Sequence, residues 1–270
     1  AVSIDAGGGV LLPGLYDMHS HAALDSGLFL LAAGVTSTRD MGNYNDFMAE
    51  LRPMIEAGEI ASPRLTIGGI LEGRSEYALN MGFQPETLEE ALEAVRWYAD
   101  AGYQIVKFYS SFNPEWVKPA AREAHRLGLE VGGHVPAFTD ADRMVRDGFD
   151  TIVHLNLLLF NWLIDPQTED TRTLLRVTGL SRAATLDLDS APVRATIALM
   201  KEKNTNIDPT AVILERLMLS RAGEVQEGNA FILDHMPIGF QRQRKRTYVT
   251  LGSDAEDEAY RRGFVKIVEL

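Results

Sequence analysis

The most constraining feature of the sequence is a repeated order of elements: a short apolar or β-branched run, a polar loop, and an amphipathic segment ending near a glycine. The unit recurs about every 25–40 residues, a spacing typical of βα units with a parallel sheet. The predicted strands are 10–21, 35–41, 64–70, 104–109, 129–134 and 150–154. Such a succession favours an α/β fold of the closed (β/α)8 TIM-barrel type over an open sheet.

Helix-capping patterns support the prediction of βα units. Thr87-x-x-Glu90 and Ser253-x-x-Glu256 match capping boxes, and Asn113 precedes a proline at the first turn of a predicted helix. The second half is less regular: residues 166–189 are predicted to be irregular or partly helical, 205–209 to be a seventh strand, and 253–270 to be the last helix. No eighth strand follows that helix, so we expect a barrel that lacks its last strand.

Composition excludes several classes of function. The formal net charge is −12, with 38 acidic and 26 basic residues, which argues against non-specific binding of nucleic acid through phosphates. The sequence has no cysteine, so any metal must be held by His, Asp, Glu or a modified Lys. The longest apolar stretch, 155–164, is too short to cross a bilayer, and no membrane insertion is expected.

Two histidines, His19 and His21, follow the apolar run that begins at Val10. Residues i and i+2 of a strand share a face, so both imidazoles can point at one metal ion. His134 and His154 end two further predicted strands, and Lys107 lies near the end of another, in apolar surroundings. In a parallel barrel all these strand ends meet on one face, where active sites lie.

Each of these residues also has an ordinary structural explanation. The His19 and His21 pair can arise by chance at a hydrated strand end, a single strand-end histidine is often a polar rim residue, and a single strand lysine usually extends its ammonium group to solvent. The joint placement of four of the six histidines at one barrel mouth nevertheless favours a metal site.

Five segments follow one another along the chain: Leu12-Pro-Gly-Leu-Tyr-Asp-Met-His-Ser-His21, Ala33-Gly-Val-Thr-Ser-Thr-Arg-Asp40, Val106-Lys-Phe-Tyr109, Gly132-Gly-His-Val135 and Thr151-Ile-Val-His154. This ordered set of motifs resembles the amidohydrolase superfamily of metal-dependent hydrolases over nearly the whole chain. More narrowly, the run His154-Leu-Asn-Leu-Leu-Leu-Phe-Asn-Trp162 is similar to the branch related to imidazolonepropionase and Xaa-Pro dipeptidases.

The resemblance implies a binuclear centre with two divalent metal ions, zinc first among them. His19 and His21 would bind one ion, His134 and His154 the other, and a carboxylated Lys107 would bridge the two. The ions would activate a water as hydroxide and polarise the scissile carbonyl.

The family also carries a catalytic Asp after its eighth strand, and Gly252-Ser-Asp254 resembles the signature around that residue. Asp254, however, opens a capped helix, where an acidic side chain complements the helix dipole. The expectation is therefore that the family's Asp lies beyond Leu270, with Asp254 the weaker candidate.

The resemblance also divides the chain into residues 1–9, a remnant of the family's β-sandwich domain, and residues 10–270, the barrel with an incomplete C-terminus. The chain opens without Met and without a basic and apolar leader, and we expect it to be a piece of a longer protein. Cytoplasmic and periplasmic locations both fit the sequence, as does a homo-oligomer.

Four further residues, on or after strand ends or in loops, are candidates for substrate binding: Arg74, Tyr77, Tyr109 and His235. The predicted function is hydrolysis of C–N bonds in cyclic amides, small molecules or short peptides. Two alternatives stay open: a lactone or phosphoester hydrolase with the same centre, and an incomplete chain that binds metal without hydrolytic activity.

Overall fold

The computed structural model describes residue 3 and residues 5–270. Within these residues the strands form one parallel sheet in chain order, each pairing with the next. The strands are β1 (Leu15–Ser20), β2 (Val35–Asp40), β3 (Arg64–Leu71), β4 (Ile105–Phe108), β5 (Glu130–Gly133), β6 (Thr151–Val153) and β7 (Asn206–Asp208). The sheet curves into a nearly closed barrel.

Helices connect the strands, and capping residues set several of their starts. They are α1 (Ser26–Ala32), α2 (Asn45–Glu56), α3 (Leu88–Asp100), α4 (Pro114–Arg126), α5 (Ala141–Asp147), α6 (Leu155–Leu163), α7 (Leu175–Thr178), α8 (Ala191–Lys203), α9 (Ala211–Leu219), α10 (Glu227–Leu233), α11 (Ile238–Arg244) and α12 (Asp254–Glu269), with a 3-10 helix over Gly179–Thr185. None of the described helices has the length and apolar character needed to cross a membrane.

The predicted helix caps are confirmed. The side chains of Thr87 and Ser253 accept hydrogen bonds from the backbone N–H groups three residues later, and Asn113 accepts one from Glu115. Helix α5 begins at Ala141 because its cap is Asp140, whose carboxylate accepts a hydrogen bond of 2.7 Å from the Arg143 N–H.

The predicted barrel without its last strand is also confirmed. No hydrogen-bonded ladder joins β7 to β1 among the described residues, so an open seam lies between these two strands. A side-chain hydrogen bond of 2.8 Å between His19 and Asp208 nevertheless crosses the seam at the C-terminal ends of β1 and β7. The barrel mouth is therefore brought together even though the sheet is open.

The prediction of a buried strand over residues 10–21 is wrong in two respects. The strand covers only Leu15–Ser20, and Val10, Leu11 and Leu12 lie outside it with 74–93% of their surface exposed. β1 itself is an edge strand, because among the described residues it pairs only with β2. The predicted sandwich segment 1–9 includes residues 1, 2 and 4, which lie outside the described residues, and the rest of it contains no strand.

The core lies between the sheet and the surrounding helices, and Tyr98 of α3 shows how tightly the two pack. Its hydroxyl donates a hydrogen bond of 2.7 Å to the Ile70 carbonyl, and its ring lies over Gly69 of β3. A Cβ atom added at Gly69 would lie 2.1 Å from that ring.

Gly69→Ala is therefore expected to lower the free energy of unfolding by about 1–3 kcal/mol, because the buried ring is held by its hydrogen bond and cannot move away. Chemical denaturation measures the change. The matched control is Gly228→Ala in α10, where the added methyl group meets no atom within 4 Å, and we expect no loss there. Equal stability of Gly69→Ala and the original protein would contradict the packing described.

Candidate active site

Four histidines converge at the C-terminal face of the barrel, as predicted. The ring centres of His19 and His154 are 4.8 Å apart, those of His134 and His154 are 4.8 Å apart, and those of His19 and His21 are 5.5 Å apart. The first two histidines belong to β1 and its end, and the other two follow β5 and β6 directly. Strands far apart in the chain thus bring these imidazoles to one point.

The histidines of β1 are held by contacts on both sides of the strand end. The Nδ1 atom of His19 lies 2.8 Å from Oδ2 of Asp208, and Nδ1 of His21 lies 2.7 Å from the Gly42 carbonyl oxygen. The Asp40 carboxylate accepts hydrogen bonds from the backbone N–H groups of Ala22 and Gly42. Asp40 therefore fixes the two chain segments next to His21.

His134 is the most buried of the four. It has no exposed surface, its Nδ1 atom lies 2.8 Å from Ser110 Oγ, and Tyr109 stacks on its ring with 3.8 Å between the ring centres. His154 passes directly from β6 into α6 with φ +69°, a left-handed conformation that a residue other than glycine seldom adopts. Its Nδ1 atom lies 2.8 Å from Thr210 Oγ1. Such backbone strain is concentrated at functional sites.

In all four histidines Nδ1 has a partner, which leaves the Nε2 nitrogen for a ligand. The Nε2 atom of His134 is buried and has no hydrogen-bond partner in the described part of the chain. Burial lowers the pKa of His19, and lowers those of His134 and His154 well below the usual value. These imidazoles are therefore neutral at pH 7, the form that binds a metal ion.

The donor set suits zinc, a metal that proteins bind through imidazole nitrogen and carboxylate oxygen. As the side chains lie, however, no group of three or more His, Asp or Glu residues in residue 3 and residues 5–270 is arranged to hold a metal ion. The structure thus brings the imidazoles together without arranging them as a formed metal site.

Lys107 lies within the barrel with 1% of its surface exposed. Burial lowers its pKa from 10.5 to about 8, while the charges of Asp208 and Asp40 act in the opposite direction. The Lys107 amine therefore loses its proton at a lower pH than an exposed lysine does. The neutral amine is the nucleophilic form, which a carboxylated lysine requires for its formation.

Asp208 and Arg176 are functional candidates that the sequence analysis missed. Asp208 ends β7, so the strand-end rule that selected the histidines would also have selected it. Arg176 lies in α7, within the segment predicted to be irregular or partly helical, and no motif marks it. Its charge nevertheless acts on Lys107, Tyr109, His134 and His154.

An open cleft of about 600 Å³ gives access to the histidines from the side of the seam. Its wall combines His19, His21, His154 and Asp208 with apolar side chains. The apolar part is formed by Met18 of β1 and by Val212 and Ile213 of α9. A ligand in this cleft would contact the polar strand ends and an apolar surface at the same time.

The other predicted site residues lie partly beside the four histidines and partly away from them. Tyr109 lies in the site against His134. Arg74 is exposed and pairs with Glu86 at 2.7 Å, and Tyr77 lies on the loop after β3 against Arg172. His235 is exposed after α10, and Asp254 is exposed as the first residue of α12. Neither of these two has a described contact with the four histidines.

Solved structures share this architecture. Bottromycin amidohydrolase matches with a TM-score of 0.64 and 18% identity, over 94% of this chain and 54% of that one. The fold is that of the amidohydrolases. A prolidase complexed with N-methylphosphonate-L-proline matches with a TM-score of 0.52 and 17% identity, over 95% of this chain and 62% of that chain.

Ochratoxinase of A. niger matches with a TM-score of 0.51 and 17% identity, over 95% of this chain and 60% of that chain. No protein-family profile and no curated protein sequence matches the chain. The predicted resemblance is thus confirmed for the fold. The chain spans little more than half of the bottromycin amidohydrolase chain.

Proposed function

We propose that the protein is a metal-dependent hydrolase of amide C–N bonds, in cyclic amides or short peptides, with its active site at the four histidines. The observation that carries the proposal is the convergence of these imidazoles beside a buried lysine, each with its Nδ1 atom engaged and, for the fully buried His134, an Nε2 atom without a partner in the described residues. The fold supports the reaction class, since structures that share it are described as an amidohydrolase and a prolidase.

In this proposal His19 and His21 hold one divalent ion, His134 and His154 hold a second, and a carboxylated Lys107 bridges them. Zinc is the expected metal. Bound ions would supply a water of lowered pKa and polarise the amide carbonyl.

Residues of the chain would supply orientation and proton handling. Asp208 holds the His19 ring through its Nδ1 atom and lines the cleft, so a carboxylate stands next to the reacting groups to hold a proton. Burial raises the pKa of Tyr109, whose hydroxyl therefore stays protonated and can donate a hydrogen bond to a carbonyl oxygen. The apolar wall of Met18, Val212 and Ile213 would hold an apolar part of the substrate and exclude water.

Asp208→Asn is expected to lower the affinity for zinc about 10- to 100-fold, because a carboxylate that orients a ligating imidazole contributes about that much. Titration with a competing chelator measures the affinity. The control is Asp150→Asn, which alters a similar pair with His125, also at 2.8 Å but on the surface. If Asp208→Asn bound zinc with unchanged affinity, Asp208 would not orient a ligating imidazole as proposed.

The function is tested by assaying the protein after chelation and after restoration with zinc, on a panel of dipeptides, cyclic amides, lactones and phosphoesters. Zinc-dependent release of an amine from an amide supports the proposal. Turnover confined to lactones or phosphoesters would show that the protein cleaves esters, and would overturn the proposal that its substrates are amides. Zinc binding without any hydrolysis would favour the alternative of a chain that binds metal but is inactive, and would overturn the proposed activity.

A further inference from the structure

A fully buried carboxylate, that of Glu72, directly follows β3 at its C-terminal end. Its hydrogen bonds within the described residues all come from backbone N–H groups. Oε1 accepts one from Gly73 at 3.0 Å and one from Ser111 at 2.8 Å, and Oε2 accepts one from Leu79 at 3.2 Å. A single side chain therefore joins the loop after β3 to the loop after β4.

The burial of this carboxylate costs free energy, since hydrogen bonds return only part of the hydration that a charge loses. Burial raises the pKa of Glu72, and the three backbone N–H groups act in the opposite direction. An apolar residue of the same size would avoid the cost but could not accept from three N–H groups at one point. The carboxylate thus meets a requirement of the two loops and not of the core.

The two loops touch through their backbones beside Glu72. A Cβ atom added at Gly73 would overlap the carbonyl oxygen of Ser111, so only glycine permits this approach. The hydroxyl groups of Ser75 and Ser111 lie 2.7 Å apart and form a second link. The loop after β3 is itself closed at its base, where the Glu72 N–H donates a hydrogen bond of 2.9 Å to the Phe83 carbonyl. The loop after β4 is therefore held against a fixed support.

The segment that Glu72 holds makes two contacts with His134. The Oγ atom of Ser110 lies 2.8 Å from Nδ1 of His134, and the Tyr109 ring stacks on the imidazole with 3.8 Å between the ring centres. Ser111, which donates to Glu72, follows these two residues directly. Because Nε2 of His134 has no partner, Ser110 is the one hydrogen-bond partner that the described residues give this imidazole.

We propose that Glu72 is a positioning residue for His134: it fixes the segment from Tyr109 to Ser111 and thereby holds the imidazole with Nε2 free for a ligand. Glu72 acts through Ser110 and touches neither metal nor substrate. The value of this orientation for catalysis rests on the proposed function, whereas the orientation itself does not. The two therefore have separate tests.

The first test uses the metal-free protein without substrate. Nitrogen NMR of the histidine-labelled protein reports which ring nitrogen of His134 carries the proton, and His134→Gln, which lacks these signals, assigns them. We expect one tautomer, with the proton on Nδ1 and shared with Ser110. Glu72→Gln should shift the His134 signals toward the average of two tautomers, because the amide NH2 group opposes at least one of the three N–H groups and releases the segment.

The second test measures zinc affinity by competition with a chelator. Ser110→Ala should lower the affinity about 10- to 100-fold and Glu72→Gln about 10-fold, since groups that orient a ligating imidazole contribute in this range. Because Glu72 acts through Ser110, adding Glu72→Gln to Ser110→Ala should lower the affinity further by no more than about 2-fold. Independent effects would multiply instead.

Two controls distinguish positioning from a general loss of structure. Ser75→Ala removes the other side-chain link between the same loops and leaves the carboxylate contacts intact. Thr196→Val lowers stability elsewhere, because it removes a buried hydroxyl of α8 that donates a hydrogen bond of 2.7 Å to Asp142. Neither control should change the His134 signals or the zinc affinity. If circular dichroism shows that Glu72→Gln does not fold, Glu72→Asp takes its place, since its shorter side chain cannot reach both loops.

The outcomes separate this inference from the proposed function. Unchanged His134 signals in a folded Glu72 variant, the same change in Thr196→Val, or a proton on Nε2 of His134 in the original protein would each overturn the inference. Multiplying losses of zinc affinity in the double variant would also overturn it. Altered His134 signals in the Glu72 variant alone, in a protein that binds no zinc, would support the inference and contradict the proposed function.

Discussion

Replacement of His134 by alanine is expected to abolish zinc-dependent hydrolysis, with a loss of more than about 100-fold, since removing a ligand costs more than removing the group that orients it. His134 is fully buried and its Nε2 atom has no partner in the described residues, so the free nitrogen fits a ligand position better than a structural one. Initial rates on the substrate that the panel identifies, together with bound zinc per chain, measure the loss.

Two control variants distinguish the loss of a metal ligand from a general loss of structure. His134→Gln keeps a polar side chain of similar size and distinguishes loss of the ligand from loss of packing, with circular dichroism as the check on folding. His125→Ala removes a histidine of α4 that pairs with Asp150 on the surface, and it should keep full activity. Full activity in both folded His134 variants would rule out the proposed mechanism.

Replacement of Lys107 by methionine is expected to separate activity from stability. Hydrolysis and zinc binding should fall by more than about 100-fold, because a ligand that bridges two ions contributes to both of them. The metal-free protein should nevertheless fold, since methionine fills a similar volume in an apolar site. Bound zinc per chain and initial rates of hydrolysis, with His125→Ala as the control, measure the first effect.

The second effect of this replacement is on the pH dependence of unfolding. Burial lowers the pKa of Lys107 from 10.5 to about 8, so between these values the unfolded chain binds more protons at this residue than the folded chain. The unfolding free energy therefore rises with pH across this window, by an amount on the order of 3 kcal/mol for the lysine alone. Subtracting the curve of Lys107→Met from that of the original metal-free protein should isolate this rise, and parallel curves between pH 8 and 10.5 would contradict the burial of a free amine.

The barrel could be predicted from the sequence because each βα unit carries its own local signals. Thr87, Asn113 and Ser253 mark helix starts through hydrogen bonds to backbone groups a few residues away, and these bonds form as expected. The histidines could be predicted for a related reason, since the C-terminal ends of parallel strands meet on one face whatever the loops do.

What could not be predicted depends on contacts between distant segments. The apolar residues around Leu11 suggest a buried strand, but they lie before an edge strand and are exposed. The backbone of α7 at Arg176 is fixed by a hydrogen bond from Asn156, a contact between two segments that no sequence pattern relates. Asp208 is different, because it ends β7 and a strand-end rule that includes carboxylates would select it.

The most direct test of the central claim is the amount of zinc bound per folded chain, measured by elemental analysis after loading with zinc and removal of the excess. We expect about two zinc ions per chain, as in other two-metal hydrolytic sites. We also expect a clear loss of bound zinc in His134→Gln and Lys107→Met, but not in His125→Ala. A folded protein that binds no zinc, or that binds the same amount in all these variants, would contradict the claim that the four histidines and Lys107 form a metal centre.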